Sequence, residues 1–197
     1  MRFKKAIMAG VFIAMAGAGT LCLPDYKAII FPAGLLMVVL SQSELFTGRI
    51  LLVNEVKGTE LLKWWGTVYI GNLVGSIAIA LMAFYANLPC NDYSFKVEAG
   101  WGELFLKAIL CNMLVCMAVF LAKKTDTFIS KAAVIYACIS LFVLCGYEHC
   151  VANMFYLSIG VLDGQFGIPA ALYNLAITTV GNIIGGIIIA KMVAKEE

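Results

Sequence analysis

Long runs of Ile, Leu, Val, Ala, Phe and Gly dominate this chain, several of them as long as the roughly 20 residues a helix needs to cross a bilayer. Lipid cannot satisfy a backbone N–H or C=O, so each such run has to bond internally as a helix or be buried where it is broken. Six spans are read, at about 6–23, 28–53, 64–88, 104–122, 132–157 and 168–190. Composition closes off the soluble alternative: 62% of the 197 residues are hydrophobic and 13% charged, against about half and a quarter in ordinary soluble domains. A soluble bundle of this chain has too few polar residues to cover its outside. The expectation is an all-α polytopic membrane protein, a single transmembrane domain over residues 1–197. The opening "MRFKKAIMAGVFIAMAGAG" has the basic start and apolar core of a signal peptide, but its length and the spans behind it favour a retained first span.

Lys and Arg mark the orientation. Arg2, Lys4, Lys5, Arg49, Lys57, Lys63, Lys123, Lys124, Lys131, Lys191 and Lys195 fall on one side of the six-span arrangement. Only Lys27 and Lys96 fall on the other, with Lys107 inside a span. By the positive-inside rule both termini are expected in the cytoplasm, in a multi-pass protein of the cell membrane. The net charge of +2 thus reports topology and gives no reason to expect nucleic acid as a partner. Five of the seven cysteines lie in spans, where thiols pack as small hydrophobes. Cys22 and Cys90 fall near the outer surface, where a bridge between them is conceivable. No His/Cys cluster has metal-ligand spacing, and neither a cofactor nor an enzymatic constellation is expected.

The third and sixth spans share a pattern. "GNLVG" at 71–75 and "GNIIG" at 181–185 are each followed by an apolar run, and upstream of each lies a span interrupted by polar residues. The interruptions are "SQSELFTGR" at 41–49 and "GYEHCVANM" at 146–154. The chain reads as two copies of a three-span unit, at about 1–88 and 104–193. Three is odd, so the second copy runs through the membrane in the opposite sense, and inverted repeats bring their broken helices together near the bilayer midplane. The glycines of the shared motif permit close backbone approach.

His149 is the sole histidine and sits in the second interruption. An ionisable group inside a span is costly and marks a functional site by default. Burial disfavours a charged imidazole, and an approaching anion offsets part of that cost. The ring is then placed to hold an anion or hand it a proton, and a neutral acid crosses an apolar constriction far more cheaply than its anion. Glu148 would repel an anion, so it and its counterpart Glu44 read as structural polar groups at the breaks. They are expected to bond freed amides or to raise the basicity of a neighbour. Thr47 reads either as a half-helix cap or as a hydroxyl touching His149 or the permeant. Lys107, four residues after Glu103, is either half of an i, i+4 pair or a vestibule charge that attracts anions. Trp64, Trp65 and Trp101 read as interface anchors.

"SELFTG", "CNMLVCMAVFLA", "GYEHCVANM" and "TVGNIIGG", in this order across four spans, resemble the formate/nitrite transporter family over nearly the whole chain. The resemblance implies an aquaporin-like helical arrangement and a homopentamer in the lipid bilayer, each protomer with its own pore for small monovalent anions or their conjugate weak acids. It implies that Thr47 faces the central His149. Phe31 and Phe142 would narrow one side of the pore, and Leu35 and Leu45 the other. Asn112, Asn153 and Lys107 match polar positions of the pathway. The chain departs from the family in its short lead before the first span, so gating by a longer N-terminal helix is not expected, and in Arg49, where a smaller residue is usual.

Two rival classes remain at this stage. A neutral-solute pore of the water or glycerol kind suits six spans in two repeats, but the chain has no Asn-Pro-Ala pair. A structural subunit of a respiratory complex lacks the second histidine of a bis-histidine haem site. Formate, nitrite and hydrosulfide are equally compatible with one histidine between apolar slits.

Overall fold

The structure is a computed structural model that describes residues 2–194, and all its regular elements are helical. Lys195, counted above among the tail cations, lies outside the described residues. Helix α1 spans Arg2–Cys22. A 3₁₀ turn, Pro24–Tyr26, leads into α2 (Lys27–Ile30) and α3 (Pro32–Leu40). After a break, α4 (Phe46–Arg49) continues as a 3₁₀ segment, Ile50–Asn54. There follow α5 (Gly58–Tyr85), α6 (Ser94–Glu98), α7 (Trp101–Lys123), α8 (Phe128–Leu144), α9 (Cys150–Leu162) and α10 (Ile168–Met192). Helices α1, α5, α7 and α10 are long and apolar enough to cross a membrane. The rest of the apolar length is divided between α2–α4 and α8–α9, interrupted where the sequence placed polar residues in the second and fifth spans.

The two interruptions are narrower than the sequence suggested, at 41–45 and 145–149. Both begin the same way. Gln42 and Gly146 take left-handed φ values of 55° and 63°. The N–H of Gln42 donates to Val39 C=O and that of Ser43 to Val38 C=O; Gly146 and Tyr147 repeat this on Val143 and Phe142. This is the Schellman ending, which satisfies the last carbonyls of a helix by turning the chain sharply. Glycine adopts that conformation freely, and glutamine does so only where the surroundings hold it.

Each half then packs in one manner: α1 lies along α5, and α7 along α10. The shared glycines are why these pairs approach so closely. A Cβ on Gly75 would run into the backbone carbonyl of Ile7, and one on Gly185 into that of Ile109. Gly66, on the same helix as Gly75, faces open space. Gly185→Ala is therefore expected to push α7 and α10 apart and destabilise the protein by about 1–3 kcal/mol, read as a fall in the thermal unfolding midpoint in detergent. Gly66→Ala should leave that midpoint unchanged or slightly raised, since alanine is the better helix former. Equal effects of the two would show that close approach is not what the motif provides.

All seven cysteines are free, so Cys22 and Cys90 are unbridged. Partial burial, and secondarily the nearby Asp163 carboxylate, push the Cys90 thiol up to about 11, which keeps it protonated and slow to oxidise at neutral pH.

Candidate functional site

The first residue of each half-helix after a break has an N–H with no partner within the helix, and the sequence solves this twice with one side chain. Asn72 Oδ1 accepts from Phe46 N–H at 2.8 Å, while its Nδ2 donates to Ala6 C=O at 2.8 Å and Glu44 C=O at 2.9 Å. Asn182 Oδ1 accepts from Cys150 N–H at 2.8 Å, and its Nδ2 donates to Ala108 C=O at 2.7 Å and Glu148 C=O at 2.9 Å. The freed amides thus bond to the asparagines of the repeated motif, and the glutamates expected there do other work. The reason lies in donor inventory: a carboxylate only accepts, whereas a primary amide accepts from the N–H and donates to the exposed carbonyls.

The glutamates instead hold cations. Glu44 Oε2 sits 2.5 Å from Arg49 Nε and accepts from Trp64 Nε1 at 3.3 Å. Glu148 takes Lys96 Nζ at 3.0 and 2.9 Å on its two oxygens. Lys96 gives its third N–H to Asn153 Oδ1 at 3.0 Å, so all three of its donors are occupied. Asn153 Nδ2 closes the network on Glu148 Oε2 at 2.6 Å and Asn174 Oδ1 at 2.8 Å. Asn174 in turn donates to Lys96 C=O at 2.7 Å.

In the extended residue just before each half-helix the two repeats diverge. One break has Leu45, the other His149. His149 Nδ1 accepts from Ala152 N–H at 3.0 Å, capping α9. A neutral imidazole that accepts at Nδ1 carries its proton on Nε2, so Nε2–H donates to Thr47 Oγ1, 2.9 Å away. Thr47 therefore does not cap α4; its hydroxyl joins the two breaks. Asn112 holds α4 from behind, donating to Thr47 C=O at 3.3 Å and to Asn182 C=O at 2.6 Å.

The His149 ring stacks on Phe142 with centroids 5.9 Å apart and 16° between planes, and Phe31 meets Phe142 edge-on at 5.8 Å. Phe31, Leu35, Leu45 and Phe142 surround His149 in an apolar cavity of about 10 Å³, close to the least that admits one water. On one side opens a cavity of about 280 Å³ bordered by Lys27, Asp92, Lys96, Glu148, His149 and Asn153. On the other lies one of about 340 Å³ bordered by Leu35, Leu45, Arg49, Lys123 and Lys131. Two polar-rimmed cavities thus face each other across an apolar pinch with one imidazole in it.

The Lys107 side chain is apart from this arrangement, although its backbone C=O accepts from Glu148 N–H at 3.5 Å. Its ammonium pairs with Glu103 at 2.6 Å and its side chain is 37% exposed. Lys27 and Lys96 both border the 280 Å³ cavity; the one paired with Glu148, next to His149, is Lys96, on the short helix α6 that the sequence reading did not foresee. Its only signal in the sequence was its rarity, as one of two cations on the sparsely charged side.

The family model described as formate/nitrite transporter matches residues 2–195. A formate channel FocA of Haemophilus influenzae is 35% identical, over 95% of this chain and 83% of that protein. A probable formate transporter of Methanothermobacter thermautotrophicus is 32% identical, over 93% of this chain and 83% of its own length. Among solved structures, a pentameric formate channel with formate bound superposes with a TM-score of 0.85 at 26% identity, covering 97% of this chain and 94% of that one. A channel described as an FNT family ion channel gives 0.86 at 26% identity, over 97% of this chain and 88% of that one.

Proposed function

We propose, from the premise that this chain belongs to the formate/nitrite transporter family, that it passes small monovalent anions or their conjugate weak acids across the cell membrane. Its permeant is formate, nitrite or hydrosulfide, and its working form is a homopentamer with one pore per protomer. Residues 1–197 act as one channel domain of six spans, with inverted repeats at about 1–88 and 104–193 and both termini in the cytoplasm. The protein is a transporter and not an enzyme.

One observation carries this reading: the cavities on either side of the pinch contain charged side chains, and among the described residues the pinch itself contains only His149 and apolar groups. Charge crosses an apolar slit at high cost, while a hydrogen-bonded or protonated acid crosses cheaply. Phe31, Phe142, Leu35 and Leu45 exclude bare ions. His149 presents its Nε2–H to the anion in place of Thr47; once the ring has taken a second proton on Nδ1, the imidazolium passes its Nε2 proton to the anion and is left neutral. Asn153, with Glu148 and Lys96, fixes the polar wall on the α6 side, and Asn112 fixes the α4 wall. A water- or glycerol-like pore is the rival reading, and it leaves a titratable donor at the pinch without a purpose.

Proteoliposomes separate the two. With formate, nitrite, hydrosulfide and glycerol offered in turn, at least one of the weak acids is expected to enter, faster as the external pH falls. Swelling with glycerol and no flux of any of the three would overturn the reading.

A further inference from the structure

The N-cap of α9 bears on how His149 handles a proton. In the first repeat the equivalent residue, Leu45, provides α4 with no side-chain cap. In the second, His149 Nδ1 accepts from Ala152 N–H at 3.0 Å, at the start of a 13-residue helix. The residue expected to exchange a proton with the permeant is therefore also the residue that closes the helix. Its two nitrogens have different tasks: Nε2–H faces Thr47 and the pinch, and the Nδ1 lone pair faces the α9 backbone.

These tasks conflict once the ring takes a second proton. The sole lone pair of the resting ring is on Nδ1, so a proton added there turns that nitrogen into a donor facing another donor. The bond to Ala152 then has to break. When the imidazolium gives its Nε2 proton to a carboxylate oxygen, the ring is left neutral with its remaining proton on Nδ1. That is the wrong tautomer for the cap, and the resting state returns only when the proton is lost from Nδ1 and Nε2 is protonated again. We propose that the N-cap of α9 is a proton-linked latch, closed while Nδ1 is bare and open whenever Nδ1 carries a proton. It opens once in each turnover in which His149 donates to the permeant. The proposal rests on proton donation by His149.

Other ionisable groups around the ring do not supply an alternative acceptor for Nδ1. From α6, Lys96 is held by Glu148, the neighbour of His149 in the chain. Tyr147 and Tyr156 border the same cavity as His149, and the Cys116 thiol from α7 donates to Thr47 C=O. Among the described residues the ring's hydrogen-bond partners are Thr47 Oγ1 and Ala152 N–H.

A single histidine makes the test direct. The full-length protein, labelled with ¹⁵N-histidine and reconstituted in vesicles, is followed by NMR from about pH 8 to pH 5 with and without formate, while hydrogen exchange reports on the Ala152 amide. Without formate at the upper end, Nδ1 is expected bare and hydrogen-bonded, and Nε2 protonated. As Nδ1–H appears with formate at low pH, protection of the Ala152 amide should fall in step. Nδ1 protonated at rest, or Nδ1–H with Ala152 still protected, overturns the latch and leaves proton donation standing. Nδ1 bare throughout formate flux overturns both. A second arm needs no titration. His149→Asn supplies one of the best N-cap side chains, and His149→Leu copies the uncapped first repeat. The Ala152 amide should exchange near the wild-type rate in the first and about fivefold faster in the second, although both lose proton donation. Equal exchange in the two overturns the cap.

Discussion

His149→Phe is expected to cut formate flux on the order of a hundredfold and to flatten what remains against pH. Phenylalanine fills nearly the same volume and keeps the stacking that His149 makes on Phe142, so the slit stays closed to water. What disappears is the Nε2–H that faces Thr47, the donor side chain placed at the pinch. An anion entering the 10 Å³ cavity then meets only apolar walls. Placing a charge in such surroundings costs about 3 kcal/mol by the scale for the middle of a bilayer, and at 1.4 kcal/mol per decade that is roughly two decades in rate. The pH profile flattens for a separate reason: among the described residues, no other titratable side chain borders the pinch. Stopped-flow uptake into proteoliposomes between about pH 5 and 8 reads both effects. Unchanged flux with an unchanged profile would mean that the histidine takes no part in passage.

The all-helical architecture and the two breaks were legible because lipid leaves so few solutions: a polar cluster inside an apolar run has to be a break, a cap or a site. The repeated Gly-Asn motif was legible as a repeat, though its bonding was not. Asn72 reaches Phe46 across 26 positions and Asn182 reaches Cys150 across 32, and nothing local indicates that the amide of one helix bonds the backbone of another. For that reason the freed amides were given to the glutamates as one of two readings, since each lies beside the break and the asparagine lies far from it. Lys107 and Lys96 show the same limit from the other direction. A lysine inside an apolar run is conspicuous in a sequence, yet Lys107 is satisfied by Glu103 one turn away. Lys96 lies in an ordinary-looking loop and becomes significant only when α6 folds it onto Glu148, 52 positions later. The pairing of Thr47 with His149 spans 102 positions; the residues alone left the threonine as either a cap or a partner of His149, and the family resemblance implied the second. The division of labour between Nδ1 and Nε2 depends on hydrogen-bond geometry, which no sequence pattern encodes.

Glu148→Met should be the most destabilising single change in the network beside the site. Lys96 Nζ would lose two of its three acceptors while its side chain remains only 10% exposed. Removing one partner of a buried ion pair costs about 3–5 kcal/mol, because the other charge is left without compensation. Asn153 would lose an acceptor in the same step, which adds to the cost. Lys96→Met alone should be nearly as damaging, since Glu148 would keep only Asn153 Nδ2 as a side-chain donor. Replacing both by methionine removes the charges together, and such replacements are often neutral or stabilising. The double variant should therefore unfold near the wild-type temperature although each single variant falls well below it. With losses of about 3 kcal/mol or more in each single variant and almost none in the double, the double-mutant cycle gives a coupling of about 6 kcal/mol, above the range of about 0.5–3 kcal/mol usual for directly contacting residues. Additive losses would mean that water in the 280 Å³ cavity solvates the two charges separately, and that Lys96 stands ready for an anion instead of being held by Glu148.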